Sequence, residues 1–222
     1  MWFQYLRKDK KVCEVSITKA SKGYHERMFP GYHSKFLETD PEFIERFDNF
    51  AFDEVVNSDD LDDRTQMMAI LAVLIGCQGI DEYKAMLPAA LNFGVTPTEA
   101  KEIVYQAVAY LGIGRVFPFL HVINDVLVSQ GVELPLPGQA TTTTENRLQA
   151  GEQAQIEIFG DGMRGFWKSG TEESRHISHA AANMRIGNDK VFIIKIISQC
   201  IPYIGYPHSL NALRCVDEAA DQ

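Results

Sequence analysis

Two stretches of this chain, 93 positions apart, spell out the same order of helix signals. A repeat of that kind constrains the architecture more than any single residue does. Sliding the segment from His179 onward back by 93 sets Ala182 on Ala89, Gly187 on Gly94, Ile196 on Ile103 and Gln199 on Gln106. The same shift sets Tyr203 on Tyr110, Gly205 on Gly112 and Leu213 on Leu120, with no gap. Each stretch reads as a helix stopped by glycine, a capped helix of matching length, a Tyr-x-Gly turn and a further helix. The spacing predicts an internally duplicated, all-α chain.

The rest of the punctuation points the same way. In "TPTEAKEIVYQAVAYLG", Thr96 and Glu99 form a capping box around Pro97 at the first helical position. "TDPEFIERFDNFAFDEVV" opens with Asp40 as a capping residue before Pro41 and predicts a helix burying Phe43, Phe47 and Phe50. From Met67 to Ile75 the chain is apolar on nearly every side, which predicts a central helix or one in a subunit interface. Pro88 is expected to bend the helix that Gly94 stops, Pro202 to end another, and Pro207 to start the last. "VELPLPGQATTTT" reads as a connector, followed by the helix "ENRLQAGEQAQIEIFG". Nowhere does a period of two emerge.

These signals divide the chain into a tail at 1–25, a first repeat at 26–131, a linker at 132–144 and a second, shortened repeat at 145–222. The second is shorter because Gly-rich "EIFGDGMRGFWKSGT" stands where the first has the apolar "RTQMMAILAVLIG". The first repeat or a partner subunit must then cover the face that this leaves bare.

With 21 Lys and Arg against 30 Asp and Glu, the chain carries a formal charge of −9, which excludes a phosphate-neutralising surface. Its basic cluster, "LRKDKK", reads as a solvated tail. No apolar run reaches the roughly 18–20 residues of a membrane span. The start "MWFQYLRKDKK" also lacks the order of a signal peptide. The expectation is a cytoplasmic protein with neither membrane nor nucleic-acid partner. Cys13, Cys77, Cys200 and Cys215 lack CxxC spacing and are expected as thiols. No metal-ligand spacing, Ser-His-Asp signature or phosphate-binding glycine loop is present, so neither metal nor cofactor is expected.

From Leu61 to Leu127, the apolar helix followed by "AALNFGVTPTEAKEIV" and "QAVAYLG" resembles the carboxymuconolactone decarboxylase family, whose wider group includes the alkylhydroperoxidase D proteins. Residues 178–219, with "NMRIGND" and "PYIGYPHSLNAL", resemble a second copy. The resemblance implies a compact helical bundle assembling into trimers or hexamers. It also implies a small-molecule substrate and one of two chemistries. One is cofactor-free decarboxylation by a general acid/base; the other is peroxide reduction by a CxxC dithiol with a nearby His and Glu.

Carried over residue by residue, the family's histidine position is Met86 in the first copy and His179 in the second. The family's helix glutamate falls at about Gln66 or Met67, so that acid is missing. Cys77 stands where family members often have a working cysteine, but it is followed by Gln78, Gly79 and Ile80, with no resolving thiol. His179 can move a proton near neutral pH or simply pack among the alanines of "HAAAN". Cys77 can react or serve as a small hydrophobe, and Glu82, beside Asp81, can orient substrate or complement a helix dipole. Tyr83 and Gln78 can line a pocket or pack, while His121 and His208 read as structural or surface residues. Three functional readings follow. The first is a decarboxylase or lyase using His179, with Glu82 or Cys77 orienting the substrate; the second is a thiol peroxidase relying on Cys77; the third is an oligomeric helical protein whose site has degenerated.

Overall fold

The computed structural model describes residues 16–164 and 179–220. The "LRKDKK" cluster, Cys13 and most of the Gly-rich "DGMRGFWKSGTEES" lie outside the described residues. The described residues form helices and turns with no strand among them, an all-α fold. They divide into two compact units, 1–58 and 59–222.

In the first unit, α1 (Lys19–Met28) is capped by the Thr18 side chain, which accepts from the Ser21 N–H. Thr18 is also tied down from elsewhere: its hydroxyl donates to Asp53 at 2.6 Å and its N–H to the Asn49 side chain at 2.8 Å. After α2 (Phe36–Thr39) comes α3 (Pro41–Asn49), which continues as a π-helical turn at Phe50–Val55 and a 3₁₀ turn at Val56–Ser58. Two expectations change here. The Asp40 side chain does not cap α3 but accepts from the Thr39 hydroxyl at 2.7 Å. The phenylalanine stripe is also not buried as a whole, since Phe43 is 66% exposed. The π turn widens the helix and rotates the residues after it, so that Ala51, Phe52 and Val55 become the buried positions.

The second unit is built around α4 (Asp63–Gly76), which packs against three other helices: α5 (Ile80–Asn92), α6 (Pro97–Leu111) and α10 (Lys190–Ala220). Being surrounded explains why α4 is apolar almost all round. Its Met67, Ile70, Leu71, Leu74 and Ile75 are buried. The capping box on α6 is fully formed, Thr96 accepting from the Glu99 N–H and Glu99 from the Thr96 N–H. Helix α7 (Ile113–Ser129) packs on α5 and α6, while α8 (Arg147–Phe159) and α9 (His179–Arg185) follow the connector. The connector does not swing free: its Pro135–Gln139 stretch lies along Thr98, Lys101 and Tyr105 of α6.

The backbone repeats itself at the spacing of the sequence repeat. Phe93, Gly94 and Val95 donate to the carbonyls of Ala89, Leu91 and Ala90; 93 positions on, Ile186, Gly187 and Asn188 donate to those of Ala182, Met184 and Asn183. Gly94 and Gly187 both take positive φ, at 88° and 100°. Asp189 accepts from the Phe192 N–H as Thr96 does from that of Glu99. Gly112 (φ 77°, ψ 153°) recurs as Gly205 (φ 73°, ψ 163°), the break inside α10. That break corrects the expectation for Pro202. The helix runs past this proline and yields at Gly205, where left-handed backbone is cheap only for glycine.

Candidate functional site

Helices α4 and α6 lie side by side and point the same way. Arg64 and Glu99, near their starts, form an ion pair, and Gly76 and Tyr110, near their ends, border the same hollow. Small residues leave that hollow open: Ala72 and Gly76 on α4 and Ala107 on α6 do not fill the seam. The result is an apolar groove of about 720 Å³, within the ~300–1,000 Å³ range of small-molecule sites. Its polar groups are few and ordered. Glu102, Gln106 and Tyr110 succeed one another at four-residue intervals along α6, and Gln139 of the connector closes one side. Glu99 is held below the usual carboxylate range, first by the Thr96 N–H and hydroxyl and then by Arg64.

His179 opens α9 and is exposed. Its imidazole meets the Tyr110 ring edge-on, centroids 5.7 Å apart, and the Phe159 ring at 6.0 Å. Tyr110, 72% exposed, therefore touches both the groove and the histidine. Among the described residues, no hydrogen bond reaches the imidazole nitrogens.

Cys77 ends α4 as an exposed thiol, its Sγ 3.6 Å from the Leu74 carbonyl. It begins a tight turn in which Gln78 takes φ 62° and donates its side-chain amide to the Ile75 carbonyl at 2.7 Å. Gly79 is closely surrounded in this turn: a Cβ there would stand 3.2 Å from the Leu74 side chain and 3.4 Å from the Cys77 sulfur. Glu82 lies in the first turn of α5, where partial burial raises its carboxyl pKa. Tyr83 is fully buried, edge-on to Phe119 at 5.2 Å, and burial raises its phenol far above the ordinary value. Met86 is core as well, 1% exposed.

The sequence candidates are thus distributed rather than gathered. Cys77 and Glu82 flank one turn, whereas His179 sits against Tyr110 and Phe159, and none of the three lines the groove itself. Gly76 and Tyr110 connect them, one preceding Cys77 and the other touching His179 at the same end of the groove. Sequence reasoning missed Glu102, Gln106 and Tyr110 as site residues, although their spacing of four along α6 was readable. Among the described residues, no group of three or more His, Cys, Asp and Glu converges as metal ligands.

Residues 41–125 match the carboxymuconolactone decarboxylase family. The match takes in α3 to α7 and so includes both walls of the groove. Against 4-carboxymuconolactone decarboxylase of Acinetobacter baylyi the chain is 29% identical over 103 residues, 45% of this chain and 77% of that enzyme. No solved structure matches the chain. Among the described residues, no helix is long and apolar enough to cross a membrane.

Proposed function

We propose that the α4–α6 groove is the reaction site of a cofactor-free decarboxylase or lyase acting on a small carboxylated or lactone-like metabolite. The observation that carries this reading is the edge-on contact of His179 with Tyr110, which brings an exposed imidazole to the end of the groove. The family match at 41–125 and the similarity to a 4-carboxymuconolactone decarboxylase support the same class of reaction.

The chemistry asked of the site is modest. One C–C bond breaks, CO₂ leaves, and the electron pair is delocalised into the conjugated lactone carbonyl; one proton returned to carbon then completes the reaction. His179 supplies that proton as a general acid. The apolar wall of Ala72, Ala107 and Leu111 assists the loss of CO₂, because charge concentrated on a carboxylate spreads over the ring in the transition state. Gln106 and Tyr110, which line the groove, hold the lactone oxygens on this reading. Cys77 and Glu82, on the turn after Gly76, orient the substrate from that end.

We further infer that the chain is a tandem duplication in which α4 serves both copies. The recurrence of four local features at one spacing supports this, as does the packing of α4 against both α6 and α10. On this reading the second copy, which brings His179, borrows its missing apolar helix from the first. The deciding experiment is steady-state turnover of 4-carboxymuconolactone and related carboxylated lactones by wild type and His179→Ala. A loss of about 10²- to 10⁴-fold in kcat with an unchanged melting temperature is expected. Full activity in the variant, or no turnover of any such compound by wild type, overturns the reading.

A further inference from the structure

A second cavity, of about 260 Å³, lies within the first unit between α1, the segment after it and α3. It is separate in residues and chemistry from the groove. Its wall carries charges of both signs, Lys22 against Glu26 and Asp48, with the His33 imidazole beside them. Glu26 is already engaged, its Oε1 accepting from the Gly31 N–H at 3.0 Å.

Asp48 is not. Its main-chain carbonyl takes the Ser21 hydroxyl at 3.0 Å, but among the described residues no hydrogen bond or ion pair reaches its carboxylate. That side chain is half-buried, and burial pushes its pKa up to about 6. A carboxylate withdrawn from water without a donor costs free energy, which a bound cationic group would recover.

The neighbouring rings suit such a group. His25 lies 6.4 Å from Tyr32 and 5.2 Å from Phe29, ring to ring, and both His25 and Tyr32 line the cavity. Burial lowers the His25 pKa, against the opposing pull of Glu26 and with help from His33. The imidazole is therefore neutral at pH 7 and offers an aromatic surface rather than a competing charge.

We propose that this cavity binds a small zwitterion of the amino-acid class, its ammonium against the Asp48 carboxylate and the rings of His25 and Tyr32, its acid group toward Lys22 and His33. A simple amine would satisfy Asp48 but leave Lys22 with Glu26 alone as its counter-charge, and a simple acid would face Asp48 with a like charge. The volume, just under the ~300–1,000 Å³ typical of ligand pockets, admits an amino acid and excludes a nucleotide.

Titration of the full chain with 4-aminobutyrate, butylamine and butyrate, followed by calorimetry and by the His25 and His33 imidazole signals in NMR, tests this directly. The zwitterion should bind at least about tenfold more tightly than either singly charged analogue. Asp48→Asn should lose about tenfold in affinity for 4-aminobutyrate while melting at the same or a higher temperature, which separates lost binding from lost folding. Lys22→Met should weaken 4-aminobutyrate and leave butylamine unchanged. Equal affinity for all three probes, wild-type binding by Asp48→Asn, or no response to any probe at millimolar concentration overturns the proposal.

Discussion

Helix α6 and the stretch of α10 before Gly205 share a backbone plan but not an environment. Both follow a left-handed glycine and a side-chain cap, and both end at a glycine with nearly the same φ and ψ. Yet Gln106 is exposed where Gln199 is 1% exposed, and Ala107 borders an open groove where Cys200 is 2% exposed. Glu102, on the groove, corresponds to Lys195, which is paired with Asp60. Local signals therefore set the helices and turns, while neighbours decide which face is left to bind. Helix α6 offers a groove, whereas the matching positions of α10 are packed.

The largest effect expected from testing this division is on catalysis. On the proposed function, His179→Ala should remove about 10² to 10⁴ in kcat, whereas Met86→His, 93 positions earlier and buried, should restore none of it in the double variant. Activity recovered in the double variant would break the asymmetry between the two stretches.

Thiol labelling separates the two faces next. Burial pushes the Cys200 thiol up to about 12. Against an ordinary thiol near 8.5, its thiolate fraction at pH 8 is lower by about 10³. A disulfide reagent should therefore modify the exposed Cys77 and Cys215 quickly and Cys200 only on unfolding. Ala107→Cys, placed on the open face, should label at a rate close to that of Cys77.

Smaller effects test the likeness rather than the difference. Gly112→Ala and Gly205→Ala each force an L side chain into positive φ, at a cost of about 1–2 kcal/mol. Matching drops in chemical stability would support the equivalence of the two turns; a drop at only one would break it. Smallest of all, Thr96→Ala and Asp189→Ala should each cost about 1 kcal/mol through loss of a cap.

Much of this fold was legible in the chain because its signals are local. The Thr96–Glu99 box, Gly94 and the all-round apolar run of α4 each act within a turn or two, and each appears where the sequence put it. What could not be read depends on contacts distant in sequence. Nothing near Asn49 announces that α3 will widen into a π turn, and at Pro202 two local signals conflict: proline reads as a stop, whereas the Tyr203-x-Gly205 turn marks where the helix yields. The site was legible only in fragments for the same reason. His179 was recognisable by position, but its ring neighbours, Tyr110 and Phe159, come from other helices, and the Glu102–Gln106–Tyr110 stripe gains meaning only once Ala72 and Gly76 leave a hollow beside it.

The placement of α4 also bears on how residues 59–222 fold. Its partner α10 is separated from it by five helices and the connector, so a long loop must close before that contact forms. Helices α4, α5, α6 and α7 can associate first through near neighbours in sequence, and α10 docks afterwards onto the side of α4 that remains. The amides of α4, held from three sides, should then be the slowest in the chain to exchange with solvent.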